Sequence, residues 1–184
     1  MTERAIMAGF GGQGMMLLGK MLAHAGMIDG LEVTFFPSYG AEVRGGTAHC
    51  HVILSDAPIY SPIVEHADTL VLMNQPSYEK FRPRLRNGGH LLLNTSMVDA
   101  DRDTAHEQAA KTVLLPATEE ANALGNVRVA NVMMLGAYVT LWHPVSEDAI
   151  MAVLEEKLGS RKAHLLEVNR RAFRRGAELA APYA

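Results

Sequence analysis

Apolar runs alternate with helical-period segments through about the first 117 residues, and helical periodicity alone fills the rest. Residues 4–9 carry Ala5-Ile6-Met7-Ala8 and predict a buried strand. Residues 13–27 place Leu18, Leu22 and Ala25 on one face at helical spacing, with Gly26 and Gly30 bracketing the end. Residues 31–36 are rich in Val, Thr and Phe and predict a second strand. A third is expected over Thr47–Ser55, followed by a turn at Asp56-Ala57-Pro58 and a short edge strand at Ile59–Pro62. Asp68–Asn74 is continuous and mostly apolar, as a strand covered on both faces of a parallel sheet would be.

Pro76 opens a predicted helix to about Leu85, because proline suits a first helical turn. Asn87-Gly88-Gly89 then turns into a strand at His90–Asn94, and Lys111–Pro116 is the last strand. The polar stretch Asp99–Gln108 between them reads as a loop or short helix. A short helix starts at Thr118-Glu119-Glu120, and a long apolar one covers Val127–Leu141. Ser146-Glu147-Asp148 caps a helix to Leu158, placing acids at its positive end. Arg161–Ala180 is a final amphipathic helix. The pattern predicts an α/β fold: a Rossmann-like, mostly parallel sheet flanked by helices, with a helical C-terminal part. It is expected to form one unit over residues 1–184, strand-rich to about 117 and helical from about 118.

Composition narrows the function. Hydrophobic residues make up 48% and charged residues 20% of the 184, which suits a packed domain rather than a disordered chain. A net charge of −3 gives no electrostatic reason to expect nucleic acid. The apolar runs fall short of the roughly 20 residues that span a bilayer. The start Met-Thr-Glu-Arg does not read as a signal peptide, so a cytoplasmic location is the default expectation, with no membrane partner. The single cysteine, Cys50, excludes an intrachain disulfide, a zinc site of several thiolates and a four-cysteine iron–sulfur cluster on this chain alone. Its simplest reading is a small buried strand residue.

Two glycine-rich segments carry the candidate chemistry. Gly9-Phe10-Gly11-Gly12-Gln13-Gly14 satisfies GxGxxG directly after the first strand. Glycines there permit a tight turn and let a phosphate approach backbone N–H groups at a helix start. A dinucleotide site also wants an acid at the end of the second strand, which instead ends Phe35-Phe36-Pro37-Ser38. The motif therefore leaves open a turn that only packs helix on sheet, a non-dinucleotide site, or a partner-facing loop. Gln13 offers an amide at the helix start in any of these. The second segment, Pro37-Ser38-Tyr39-Gly40-Ala41-Glu42-Val43-Arg44-Gly45-Gly46-Thr47, follows the second strand. Arg44 can grip a phosphate or carboxylate through parallel bonds, and its flanking glycines admit close approach. Its plain alternative is a surface arginine in a loop.

The remaining groups are weaker. His49 and His51 lie two apart on a strand and share a face, which reads as a packed or interfacial pair in preference to the start of a metal site. Arg170, Arg171, Arg174 and Arg175 read as a solvated helix face. No nucleophile elbow and no Walker-type loop is present, which argues against a self-sufficient hydrolase or kinase.

The two segments, together with Ser55-Asp56, Pro58-Ile59 and Ser61-Pro62, resemble the gamma subunit of 2-oxoacid:ferredoxin oxidoreductases, the pyruvate ferredoxin/flavodoxin oxidoreductase gamma domain family. Pro-Ser-Tyr-Gly before Arg-Gly-Gly is most like the 2-oxoglutarate and branched-chain 2-oxoacid types. The resemblance implies oxidative decarboxylation of a 2-oxoacid with coenzyme A, giving acyl-CoA, carbon dioxide and reduced ferredoxin. It implies thiamine diphosphate, magnesium and iron–sulfur clusters on partner alpha, beta and delta subunits, none tightly bound here. It implies no catalytic or metal-ligating residue on this chain, which is expected to be inactive alone. The chain's apolar content separately suggests self-association, such as a homodimer, when it is isolated from its partners. Carried over by position, the binding candidates are Gly11, Gly12, Gln13, Gly14, Ser38, Tyr39, Arg44, Gly45, Gly46 and Thr47. Alternatives from other classes are a stand-alone NAD(P)- or flavin-linked oxidoreductase and a non-enzymatic binding module.

Overall fold

A computed structural model describes residues 1–38, 47–99, 109–159 and 162–184. One six-stranded sheet organises them, in the order β2-β3-β1-β4-β5-β6. The strands are β1 (Thr2–Phe10), β2 (Glu32–Ser38), β3 (Thr47–Ser55), β4 (Ala67–Leu72), β5 (Leu85–Asn94) and β6 (Ala109–Leu115). The helices are α1 (Met15–Ile28), α2 (Gln75–Phe81), α3 (Ala117–Ala123), α4 (Ala130–Trp142), α5 (Glu147–Leu158) and α6 (Ala163–Ala180). β1, β4, β5 and β6 pair in parallel, and β3 lies antiparallel between β1 and β2. Only β3 therefore runs against the others, and the mostly parallel α/β sheet flanked by helices stands.

Alternation along β1 divides the core. Ala5 and Met7 join α1, α4, α5 and α6 on one face, while Ile6 and Ala8 pack with Tyr78 and Phe81 of α2 on the other. Both faces are covered, which is why the strands read as continuous apolar runs. α4 is buried from Ala130 to Val139, so it carries no polar face and serves as the central helix of its layer. α6 crosses it closely. A Cβ on Gly176 would lie 1.8 Å from the Met133 carbonyl oxygen, and one on Gly136 2.0 Å from that of Phe173. Only glycine at both positions allows these backbones to meet.

Several boundaries depart from the sequence expectation. Ile59–Pro62 forms no strand. The strand expected at His90 begins at Leu85 and carries Asn87-Gly88-Gly89 within it as a register irregularity, with Gly88 at φ 76°. α2 ends at Phe81, and a short 3₁₀ turn at Arg82–Arg84 around Pro83 follows. A second 3₁₀ turn at Val127–Val129 precedes α4, where one helix is expected to start at Val127. Most of the polar stretch Asp99–Gln108 lies outside the described residues.

The crossovers create a crevice. From β1 the chain moves through α1 toward β2 and β3. From β4 it moves through α2, on the opposite face, toward β5. The two connections leave the carboxyl ends of β1 and β4 in opposite directions, and such a switch point opens a gap where ligands bind. The two glycine segments do not follow adjacent strands, because β3 separates β1 from β2. The described ends of the second segment still lie at the end of the sheet where the first begins. Thr47, where β3 starts, pairs in register with Phe10, where β1 ends.

Candidate functional site

A cleft of about 310 Å³ occupies this switch point. Its lining includes Gly11, Gly12 and Gln13 from the first glycine loop, Met73 after β4, and Thr118 and Arg128 from the helical half. Gly12 adopts φ 97°, with open space where a Cβ would stand, and Gly14 adopts φ 76° as the cap of α1. Such left-handed conformations suit glycine and cost other residues strain. α1 has no side-chain cap and no acid in its first turn, so its positive end is uncompensated by its own sequence.

A ladder of side-chain amides supports the floor. The Asn94 amide donates to the Met73 carbonyl (3.1 Å) and the Thr118 hydroxyl (2.9 Å), and the Thr118 N–H donates back to Asn94 Oδ1 (3.3 Å). Asn74 caps α2 by accepting from the Ser77 N–H (2.9 Å) and donates to Gln13 Oε1 (3.0 Å). Gln13 Oε1 also accepts the Phe10 N–H at 2.6 Å. Asn74 and Asn94 are buried with these bonds made, so the ladder ties β4, β5 and α3 to the first glycine loop. Asn131 of α4 closes the loop from the other side, donating to the Gly14 carbonyl at 3.1 Å.

Of the residues expected to bind a ligand, Gly11, Gly12 and Gln13 line the cleft, and Gly14 holds the turn behind it. The Gln13 amide is occupied within the protein: its oxygen accepts from Phe10 and Asn74, and its nitrogen donates to the Met97 sulfur at 3.2 Å. Ser38 and Thr47 end β2 and start β3, on the far side of β1, and do not line the cleft. The Thr47 hydroxyl is buried with no hydrogen-bond partner among the described residues. Tyr39, Arg44, Gly45 and Gly46 lie outside the described residues. Asn74, Asn94, Thr118 and Arg128 are the lining and supporting residues that sequence reasoning missed. Their one readable signal was an asparagine closing each of two successive apolar strands.

The other candidates resolve as packing. The Cys50 thiol is fully buried against the Met15 carbonyl, and burial pushes its pKa up to about 12. His51 is 4% exposed and accepts the Val64 N–H on Nδ1 at 3.1 Å. Burial, Arg84 and His49 together press its pKa down to about 4. His49 stacks obliquely near Phe81, with ring centres 4.7 Å apart. Among the described residues no three His, Cys, Asp or Glu converge as a metal-ligand set. Arg170 pairs with Glu155, and Arg175 with Glu120 and Glu178, so half of the basic cluster on α6 is paired. Among the described residues no helix is long and apolar enough to cross a membrane.

An α/β sheet with helices on both faces and a glycine-lined crevice at its switch point places the chain in the doubly wound class. The family model of pyruvate ferredoxin/flavodoxin oxidoreductase matches residues 4–179, and the chain belongs to that family. It is 33% identical to the 2-oxoglutarate synthase subunit KorC of Methanocaldococcus jannaschii, over 98% of this chain and 95% of that protein. It is also 33% identical to the ketoisovalerate oxidoreductase subunit VorA of Methanothermobacter marburgensis, over 96% of this chain. The chain spans only 36% of the length of that VorA. A solved 2-oxoglutarate:ferredoxin oxidoreductase from Magnetococcus marinus, with 2-oxoglutarate, coenzyme A and succinyl-CoA bound, superposes with a TM-score of 0.89 at 28% identity. That match covers 98% of this chain and 31% of the neighbour's.

Proposed function

We propose that this chain is the gamma-type subunit of a thiamine-diphosphate-dependent 2-oxoacid:ferredoxin oxidoreductase. The complex converts a 2-oxoacid and coenzyme A into acyl-CoA, carbon dioxide and reduced ferredoxin. The observation that carries this reading is the match to KorC over nearly the whole of both chains. In VorA the same unit is part of a longer polypeptide, which fits a module that works against a companion. The names of these relatives favour 2-oxoglutarate or a branched-chain 2-oxoacid as substrate.

The described residues do not fit an iron–sulfur cluster: the one thiol is buried, and its high pKa disfavours the thiolate a cluster needs. In this reading the clusters, and thiamine diphosphate with magnesium, belong to alpha-, beta- and delta-type companions. They supply the decarboxylation chemistry and the electron path to ferredoxin. This chain's task is binding. Gly11, Gly12 and Gly14 let an anionic ligand approach the backbone, and Ser38, Tyr39, Gly45, Gly46 and Thr47, carried by the second glycine segment, are the further binding candidates. Arg44 is tied by three peptide bonds to Thr47, the register partner of Phe10, and supplies a guanidinium for a phosphate or carboxylate.

The test is a reconstituted complex assayed for acyl-CoA formation and ferredoxin reduction, with and without this chain. Omission abolishes turnover if the reading is right. Arg44→Ala raises the KM for coenzyme A or for the 2-oxoacid by on the order of tenfold, the loss of one charge-assisted contact. Unchanged KM values and turnover remove Arg44 from the site.

A further inference from the structure

We infer that Arg128 is the anion-reading residue of the switch-point cleft, and that the cleft takes the oxyanion-bearing end of an otherwise uncharged, chain-like ligand. This rests on the reading of that crevice as the place where coenzyme A or the 2-oxoacid meets the chain. Arg128 is the one charged side chain among the described residues that line the cleft. It makes no ion pair with a described residue, in contrast to Arg4, Arg86, Arg170 and Arg175, each of which meets a carboxylate.

Its backbone is nonetheless held firmly. Asn126 accepts the Arg128 N–H at 3.1 Å, and Val129 and Ala130, buried, anchor the turn to α4. The base of the side chain is thus placed at the cleft, and no carboxylate among the described residues pairs with its guanidinium. The rest of the lining sets the shape of the guest. Phe10, Met73, Met97 and Val127 form an apolar wall. The Thr118 hydroxyl accepts from Asn94, so its own proton remains free to donate into the cleft. A volume of about 310 Å³ is at the lower end for a small-molecule site and holds part of a large ligand. An apolar wall, one neutral donor and one guanidinium without an ion-pair partner among the described residues suit an amide- or methylene-rich segment that ends in a phosphate or carboxylate.

The first experiment needs no catalysis. The isotope-labelled full chain is titrated with inorganic pyrophosphate and followed by NMR. Pyrophosphate is expected to shift the Gly11 and Gly12 amides and the Arg128 Nε–H. Arg128→Ala is expected to weaken binding ten- to a hundredfold, on the order expected for a charged hydrogen-bonded contact, and Arg128→Lys to recover part of it. Binding equal in wild type and Arg128→Ala, or no binding to the wild type, overturns the inference. In the reconstituted complex, a raised KM for coenzyme A alone identifies a phosphate as the group read, and a raised KM for the 2-oxoacid alone identifies a carboxylate. Both support the role; unchanged KM values for both in an active complex overturn it. Absence of turnover in the wild-type complex counts against the subunit assignment and leaves the pyrophosphate result to judge Arg128.

Discussion

The two ends of the parallel strands treat charge in opposite ways. At the amino ends Asp68, 3% exposed, accepts the Arg4 N–H at 2.8 Å and meets the guanidinium groups of Arg86 at 2.6 Å and Arg4 at 3.4 Å. Glu3 accepts the hydroxyl of buried Tyr138 at 2.7 Å. At the carboxyl ends the amides are bonded to one another, yet Arg128 lines a cleft whose wall includes the glycine loop leading into the uncapped start of α1. A carboxylate enclosed by its own partners holds strands together. A cation beside a cleft that meets no carboxylate among the described residues is the arrangement the proposed anion site needs.

Breaking the amino end should be the most costly change. Asp68→Ala strands two arginines and an N–H donor, and is expected to destabilise the fold by about 3 kcal/mol, moderated by the half-exposed arginines. Urea unfolding measures this, and the pyrophosphate response of the folded variant should be unchanged. A loss below about 0.5 kcal/mol, the level of an ordinary surface change, would break the comparison.

At the carboxyl end, Gly14→Ala must hold φ 76° and push a Cβ to within 2.3 Å of Asn131 Nδ2. The expected cost is about 2 kcal/mol, from backbone strain and the displaced amide. Here stability and anion binding should fall together. A variant that loses stability but keeps full pyrophosphate affinity would separate the loop from the site.

The smallest effect sharpens the contrast through pH. Burial, set against the hydrogen bond from Tyr138, holds the Glu3 pKa above 4.5. The folded state therefore binds this proton more tightly than the unfolded state. The contribution of Glu3 is fully present below about pH 4.5 and is lost as pH rises through its folded value. Glu3→Gln keeps an acceptor for Tyr138 and removes the titration, so its stability relative to wild type should improve as pH rises above 4.5. Thermal unfolding across pH 4 to 8 reads this difference. A flat difference would mean that Glu3 is as well solvated folded as unfolded.

Local pattern alone was enough for the six strands and the main helices in their order, apart from an edge strand at Ile59–Pro62 that does not form, and for the burial of Cys50 and the first glycine turn. Each depends on neighbours in sequence: continuous apolar runs for two-sided strands, and glycine where φ turns positive. Long-range contact decided the rest. Nothing in the chain order says that β3 inserts between β1 and β2, because pairing partners are chosen by burial across the sheet. Asn74 and Asn94 become one ladder only when β4 and β5 lie side by side and Gln13 folds across them. Arg128 faces the cleft because α4 packs under α6 through Gly136 and Gly176, which brings a turn from the helical half against the carboxyl end of the sheet. Periodicity reports which residues are buried; which polar groups meet, and which charge is left without a partner, is set by packing between segments far apart in sequence.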